Sequence, residues 1–481
     1  MFILQEALQP LIVMVNKPTI ILLRAFRASA GKSRRRPWRA VFALLIGTGL
    51  LAPVCGIGAE VRGTWMTTTA NDALTTPDNT AESMERLRGI GLNTVYVEAW
   101  KNGYTQFPSP TLNETLGVDR HPGLRNDGRD LLGEALIEAH RNELLCFAWF
   151  EYGFMAAHGE TENTLVREKP EWLSEDIDGN RIAPNGFVWM NPLHPEVRDF
   201  LLGLVLDAVD RYDLDGVQLD DRLAWPHYTM GYDDLTRAVY AHEHDGAEPP
   251  EDPKNPDWLR WRADKITEFA EEFYGKLREV RPELLVSVSP GPYPWSYENY
   301  ACDWPSWAYE GWYDEFIPQV YREDFGAFED DWRDQLEAMG RRRGDLLAGL
   351  RIVGSGSDTS WEDLRKKIER VRESGAGGHV HWFSRGVLEV YPDELREFYR
   401  VDERGHAPHP KRGGDWRPAP VVAENTRDDE WTAEVARSGR YRVVARFEGR
   451  PLEIEALYLK EGRQRFAIPG AGAVELFRDR R

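Results

Sequence analysis

The chain has few cysteines and shows no spacing of cysteine and histidine that is typical of a metal site. Only three cysteines occur among 481 residues, and the first, Cys55, lies in a segment interpreted below as a removable leader. Cys146 follows in an apolar run and Cys302 in an aromatic stretch. Neither a disulfide framework nor a bound metal is therefore expected, and no cofactor is predicted. A metal-dependent deacetylase or phosphodiesterase would lack its histidine cluster.

Basic charge is also scarce. The formal net charge is −20, whereas binding to nucleic acid phosphates requires a basic face. The same acidity disfavours docking on anionic lipid. Nucleic acid is therefore excluded as an expected partner, and the acidic surface is interpreted as a solubility feature, suited to a salty or extracytoplasmic setting.

A glycine-rich phosphate-binding turn is missing after the first predicted strand, which disfavours an open, doubly wound sheet that binds a nucleotide. From residue 61 onward, short apolar runs alternate with amphipathic segments, as in parallel β/α units. Strands are predicted at 61–67, 93–100, 144–152, within the stretch 212–226 after a tight entry at 215–216, and at 284–289, 315–321, 346–353 and 378–383. The main helices are predicted at 77–90, 130–142, 195–212, 258–280, 328–343, 360–374 and 392–400. Eight such units predict an α/β fold, a (β/α)8 TIM barrel, over residues 60–407.

Long apolar runs are limited to one near the N-terminus. Residues 40–54 are apolar, follow a cluster of arginines at 34–39 and precede small residues that end at Ala59. That order predicts a signal sequence cleaved near Ala59 and an extracytoplasmic protein, with residues 1–59 as extension and signal. An uncleaved membrane anchor is the alternative.

The end of the chain changes character. Residues 408–420 are rich in proline and glycine and are predicted to form a linker. Beyond them, residues 421–481 contain short alternating strands separated by turn signals, which predict a small C-terminal antiparallel β domain.

Acidic and aromatic residues recur at the predicted C-terminal strand ends, where TIM barrels place their active sites. Aromatic faces stack on sugar rings while carboxylates, amides and arginine bind hydroxyl groups. The predicted catalytic residues are Asp220, as nucleophile or base, with Glu151 or Asp303 as the acid. The predicted substrate-binding residues are Glu98, Trp100, Tyr104, Trp149, Asn191, Gln218, Asp221, Arg222, Trp295, Gln319, Tyr321 and Trp382.

Strand alternation separates the two adjacent aspartates. Gln218 and Asp220 point to one side of the strand, so Asp220 is expected inside the barrel and Asp221 towards the helix layer or the loop. Glu98 and Glu151 could instead be buried partners of Arg62, Arg222 or Lys101. His379 and His381 are interpreted as packing residues.

Several short motifs together resemble the family-10-like glycosyl hydrolases, over about residues 60–400. The motifs include Arg62-Gly63-Thr64-Trp65, Tyr96-Val97-Glu98, Ala148-Trp149-Phe150-Glu151-Tyr152, Asn191-Pro192, Asp215-Gly216-Val217-Gln218-Leu219-Asp220-Asp221, Ser289-Pro290, Asp303-Trp304-Pro305-Ser306-Trp307 and Pro318-Gln319-Val320-Tyr321. The resemblance implies a secreted or envelope barrel glycosidase, and some relatives are thought to act on bacterial cell-wall glycan.

Two functions are compatible with these patterns. The first is an extracytoplasmic glycoside hydrolase that cleaves a polysaccharide, with cell-wall (peptidoglycan) glycan strands as a candidate substrate. The second is a non-catalytic glycan-binding envelope protein, because a barrel fold does not imply activity. Oligomeric state, linkage and stereochemistry stay open.

Overall fold

The computed structural model describes residues 58–159, 163–401 and 405–412, and in the C-terminal region 422–427, 430–435, 439–447, 450–459, 462–468 and 470–479. The predicted signal lies almost wholly outside the described residues, as does the stretch 413–420 of the predicted linker. In the part of the chain that is described, no helix combines the length and the apolar character needed to cross a membrane.

Eight parallel strands form the barrel. They are β1 Val61–Met66, β2 Thr94–Glu98, β3 Leu145–Phe150, β4 Gly216–Asp220, β5 Leu285–Ser289, β6 Glu315–Phe316, β7 Leu347–Arg351 and β8 Gly378–Trp382. They are hydrogen-bonded in the order β6-β5-β4-β3-β2-β1-β8-β7. Parallel bridges from Phe316 to Leu346 and from Gln319 to Gly349 join the two ends of this sheet. The predicted (β/α)8 barrel is confirmed, with β6 shorter than predicted because Pro318 has no backbone N–H to donate.

Helices cover the outside of the barrel and fill its loops. They are α1 Pro77–Ile90, α2 Pro110–Leu116, α3 Pro122–Asn126, α4 Leu131–Arg141, α5 Thr164–Glu168, α6 Pro195–Arg211, α7 Asp234–Glu243, α8 Pro256–Val280, α9 Trp295–Tyr300, α10 Trp304–Glu310, α11 Phe325–Met339, α12 Trp361–Glu373 and α13 Pro392–Tyr399. The range of α1 equals the predicted 77–90, because its boundary signals are local. The Thr76 side chain accepts a hydrogen bond from the Asn79 N–H, and Gly91 ends the helix in the left-handed conformation.

Aromatic side chains fill the barrel interior. The Trp65 ring lies 6.0–6.3 Å from the rings of Tyr96, Trp149, Tyr321 and Trp382. Its Nε1 donates to Oε1 of Gln218 at 2.7 Å. The barrel is thus a packed core whose upper layer forms the floor of any cleft at the C-terminal mouth.

The segment 405–412 closes the N-terminal face of the barrel, although its second half belongs to the predicted linker. The carbonyl of Ala407 accepts a hydrogen bond from Asn93 Nδ2 at 3.0 Å, and Arg412 donates to the carbonyl of Asp215 at 2.9 Å. His409 Nε2 lies 3.0 Å from Oε1 of Glu315 at the start of β6. These contacts make residues 405–412 part of the barrel's underside.

The C-terminal region forms an antiparallel sheet of six strands, which confirms the predicted small β domain. The strands are β9 Val422–Arg427, β10 Glu430–Val435, β11 Gly439–Phe447, β12 Arg450–Leu459, β13 Gly462–Ala467 and β14 Ala473–Asp479, in the spatial order β12-β11-β14-β9-β10-β13. Its buried residues include Trp431, Tyr441, Val443, Phe466 and Leu476.

Candidate active site

Three of the predicted acids come from neighbouring strands. Glu98 is the last residue of β2, Glu151 directly follows β3, and Asp220 is the last residue of β4. Because β2, β3 and β4 are adjacent in the barrel, the three acids share one sector of its C-terminal mouth.

Asp220 is enclosed by hydrogen-bond donors. Its Oδ1 accepts from Ser289 Oγ at 2.6 Å and from Gln319 Nε2 at 2.7 Å. Its Oδ2 accepts from Arg222 Nη1 at 2.6 Å. The side chain is only 2% exposed, so three donors and close packing hold Asp220 inside the barrel, on the side that strand alternation predicts.

Asp221 lies in the cleft and not in the helix layer. Its side chain is 31% exposed, and its Oδ1 lies 2.9 Å from Arg222 Nη1. It lines a small cavity of about 40 Å³ together with Arg222, Trp295 and Tyr300. The alternative expected from the sequence, a position in the loop after the strand, therefore holds, because β4 ends at Asp220 and alternation does not extend past it.

Lys101 bridges the other two acids. Its Nζ lies 2.8 Å from Glu98 Oε2 and 3.1 Å from Glu151 Oε2. Thr68 adds donors from its backbone N–H and its hydroxyl to Glu98, which is fully buried. Of the three basic partners considered from the sequence, Lys101 binds both glutamates. Arg62 pairs with Glu60 instead.

Acidic groups outnumber basic groups in this sector. Ion pairs among the described residues join four carboxylates to two cations; these are Glu98, Glu151, Asp220 and Asp221, with Lys101 and Arg222. Burial and repulsion from Glu151 raise the pKa of Glu98 to about 7, against the opposing effect of Lys101. Burial also raises the pKa of both aspartates, and Arg222 opposes that rise. Glu98 is therefore half protonated near neutral pH, and the raised pKa of both aspartates is the kind of shift that sites of acid and base catalysis use.

Two open regions flank the cluster. The 40 Å³ cavity on the side of Asp221 has aromatic walls formed by Phe187, Trp189, Trp295 and Tyr300. The second, about 470 Å³, lies along Tyr321 and Trp382 and also contacts the charged residues Arg322, Glu323, Asp324 and Arg351. We call the first cavity the aromatic arm of the cleft and the second the polar arm. A chain of sugars bound across the mouth would contact both arms.

Most of the other predicted binding residues surround the same cluster. Gln319 contacts Asp220 directly, Gln218 lies beneath it in the barrel, and Trp149 packs 6.0 Å from Trp382. Tyr321 lies close to both aspartates, whose charges together with burial raise the pKa of its hydroxyl. Trp295, 49% exposed, stands at the rim of the cleft.

Four predicted site residues lie elsewhere. Asp303, expected as a candidate acid, pairs with Arg260 of α8 at 2.9 Å, and its ion pairs among the described residues do not reach the cluster. Trp100 is fully buried and donates to the Gly153 carbonyl. Asn191 is buried and binds Asp233 and Thr236 at the start of α7. Tyr104 contacts Thr164. The structure gives these four residues internal partners, which the residue types alone did not indicate.

Some residues around the cluster were not predicted as site residues. Ser289, which binds Asp220, ends β5 and is paired in register with that aspartate, so the strand-end rule could have found it. Tyr300 and Trp189 line the aromatic arm, but no periodic pattern marks their side chains as exposed to a cleft.

The structure gives no metal candidate among the residues it describes, since no three His, Cys, Asp or Glu side chains are grouped in a way that could hold an ion. Nε2 of both His379 and His381 lies within 2.9 Å of the Tyr399 hydroxyl. Burial lowers the pKa of both histidines, which is consistent with their interpretation as packing residues.

Comparisons with known proteins place this geometry in context. The sequence profile of the glycosyl hydrolase-like 10 family matches residues 60–344. "Glycosyl hydrolase DigH" of Escherichia coli O6:H1 is 24% identical over 267 residues, which cover 50% of this chain and 57% of that protein. "Glycosyl hydrolase YngK" of Bacillus subtilis is 23% identical over 379 residues, which cover 69% of this chain and 70% of that protein. The match to DigH thus spans little more than half of that relative's length.

Solved structures support the fold. The glycoside hydrolase domain of PgaB (BpsB) from Bordetella bronchiseptica has a TM-score of 0.53 at 14% identity, covering 71% of this chain and 99% of that domain. The catalytic domain of the Paenibacillus polymyxa β-amylase has a TM-score of 0.52 at 10% identity, covering 73% and 100%. Because the family profile spans more than half of the sequence and the barrel has the fold of glycoside hydrolase domains, the chain belongs to the glycosyl hydrolase-like 10 family.

Proposed function

We propose that the protein hydrolyses O-glycosidic bonds in a polysaccharide outside the cytoplasm, with bacterial cell-wall glycan strands as the substrate. One observation carries the proposal: a surplus of carboxylates lies at the C-terminal mouth of the barrel, beside a cleft with aromatic walls. Glycosidic cleavage needs two carboxyl groups, one protonated and one ionised, within reach of the same bond.

The cleft supplies both parts of such a site. The carboxyl groups of Glu151 and of the Asp220 and Asp221 pair lie close enough to repel one another electrostatically. Trp295 and Tyr300 offer flat faces for stacking on pyranose rings on one side, and Trp382 does so on the other. Substrate bound across the mouth would place one glycosidic bond above the carboxylates.

The location and the substrate class have separate support. The arginine cluster and apolar run of residues 34–54 are typical of an export signal. The relatives from Escherichia coli and Bacillus subtilis carry the name glycosyl hydrolase. The resemblance to this family, some members of which are thought to act on bacterial cell-wall glycan, supports the proposed substrate. All eight barrel strands, and therefore all the strand ends that form the candidate site, lie between Val61 and Trp382.

Product analysis tests the activity. Purified full-length protein is incubated with peptide-free cell-wall glycan strands and with a panel of neutral polysaccharides, and products are identified by mass spectrometry. We expect shorter oligosaccharides from the cell-wall strands, and no products with the control variant that carries both Glu151→Gln and Asp221→Asn. Binding of these glycans without cleavage would support the glycan-binding alternative and refute the proposed hydrolysis.

N-terminal sequencing of the exported protein tests the location. We expect a mature chain that begins close to Glu60. A membrane-retained form that still carries the arginines at 34–39 would favour an uncleaved anchor.

A further inference from the structure

The two adjacent aspartates after β4 differ in their access to substrate. Asp220 is 2% exposed, whereas the side chain of Asp221 is 31% exposed and lines the cavity with aromatic walls. A group that gives a proton to a glycosidic oxygen must come within about 3 Å of it. Of the pair, Asp221 is the residue that a bound glycan can reach.

The two aspartates also differ in how their charge is stabilised. Three donors, from Ser289, Gln319 and Arg222, face the two oxygens of Asp220 at 2.6–2.7 Å. Hydrogen bonds to a carboxylate favour its ionised form. Asp221 shares the same Arg222 at the longer distance of 2.9 Å. One arginine between two carboxylates leaves a negative charge in surplus. Burial raises the pKa of both aspartates, but of the two only Asp221 lines the cavity, so it is the aspartate whose proton a glycosidic oxygen can take.

Glu151 faces a cation that it shares with Glu98. Lys101 Nζ lies 3.1 Å from Oε2 of Glu151 and 2.8 Å from Oε2 of Glu98, whereas Asp221 shares its arginine with Asp220. Burial and repulsion from Glu151 raise the pKa of Asp221, and Arg222 opposes that rise. Two carboxyl groups with opposite environments are the arrangement that separates an acid from a base in one site.

We propose that Asp221 is the general acid of this site, that Glu151 is the ionised nucleophile or base, and that Asp220 is a positioning residue that holds Arg222. The assignment rests on the proposed glycosidase function and reverses the roles expected from the sequence for β3 and β4. In the reaction, the bond between the anomeric carbon and the glycosidic oxygen breaks, its electron pair goes to that oxygen, and the oxygen takes the proton of Asp221.

The anomeric carbon accepts a new oxygen at the same time. Either a carboxylate oxygen of Glu151 bonds to it, and water later hydrolyses the ester and returns a proton to Asp221, or water attacks directly and gives its proton to Glu151. In both courses the sum is one water consumed and one glycosidic bond cleaved, with no other reactant.

Leaving-group dependence tests the assignment. Asp221→Asn, Glu151→Gln and Asp220→Asn variants are assayed with a natural oligosaccharide and with the dinitrophenyl glycoside of the sugar that wild-type protein releases. Dinitrophenolate leaves without a proton, so Asp221→Asn should lose about 10²–10⁴-fold in kcat on the oligosaccharide but stay within about tenfold of wild type on the aryl glycoside. Glu151→Gln should be slow on both substrates.

The pH profile provides a second measurement. The wild-type rate on the oligosaccharide should fall at high pH as the acid loses its proton, and this fall should be absent for Asp221→Asn on the aryl glycoside. Asp220→Asn should slow both substrates by a similar factor and keep the fall, because it acts through Arg222. Circular dichroism melts show that each variant is folded at the assay temperature.

The outcomes separate the two proposals. The assignment is overturned if Glu151→Gln cleaves the aryl glycoside at nearly the wild-type rate, or if Asp221→Asn cleaves the oligosaccharide at the wild-type rate. In either case the glycosidase function stands. Wild-type protein that cleaves neither kind of substrate overturns both.

Discussion

Buried acids lie at both ends of this barrel, and only one end has the features of an active site. At the N-terminal face, Glu315 accepts a hydrogen bond from the Tyr96 hydroxyl at 2.9 Å and contacts His409 at 3.0 Å, and both Glu315 and His409 are almost fully buried. At the C-terminal mouth, two cations serve four carboxylates and a cleft reaches Asp221. Buried carboxyl groups thus occur both in a structural contact and in the candidate active site.

The difference lies in partners and access. The acid on the underside has a partner for each oxygen and is sealed by residues 405–412. The four acids at the mouth share two cations, and one of them, Asp221, lines an open cavity. Incomplete charge compensation beside a cleft is unfavourable for stability and useful for proton transfer. The predictions below test this distinction.

The same substitution at the two ends should give opposite results. Glu151→Gln should lower kcat/KM by about 10²–10⁴-fold and leave the melting temperature nearly unchanged, because it replaces a proposed reacting carboxyl by an amide of the same shape. Glu315→Gln should keep the activity per folded molecule and lower the free energy of unfolding by about 1–3 kcal/mol, because it weakens a buried hydrogen-bond network. Initial rates and urea unfolding measure the two effects. A loss of activity in a fully folded Glu315→Gln variant would contradict the distinction.

Truncation should show that the underside is structural. A chain that ends at Arg412 should keep the cooperative melt of the barrel, because the described contacts of residues 405–412 are retained. A chain that ends at residue 404 should lose about 3–5 kcal/mol of unfolding free energy, because Glu315, Asn93 and the Asp215 carbonyl each lose a hydrogen-bond partner at about 1–2 kcal/mol. Differential scanning calorimetry compares the two. Equal melting temperatures would mean that the segment contributes little to the barrel.

Glu98 should make stability depend on pH. Its pKa is raised in the folded state from 4.5 to about 7, so the folded protein binds this proton more tightly than the unfolded chain. The contribution is therefore complete below about pH 4.5 and is lost as the pH rises to about 7, by an amount on the order of 3 kcal/mol. Glu98→Gln should remove this slope in urea unfolding between pH 5 and pH 8. An unchanged slope would show that another group titrates in this range.

Local signals explain the elements that were predicted well. The barrel strands and α1 depend on apolar runs, on capping residues such as Thr76 and on the proline and glycine at their boundaries, all of which act within a few residues. Helix α7 is absent from the helices that the sequence predicts. Its buried residues are only Thr236 and Tyr240, so its sequence has no strong apolar stripe.

The sequence by itself determined that eight β/α units alternate and that Glu98, Glu151 and Asp220 follow strands, since strand ends meet at one face of any parallel barrel. Tertiary structure alone decided which acids meet. Asp303 has the same residue type as Asp221, yet its partner Arg260 comes from a distant helix. The orientation of Asp221 depends on a turn where strand alternation has ended, and Lys101, which follows β2, also contacts Glu151 after β3. Such contacts depend on distances between segments remote in sequence, which composition and periodicity do not encode.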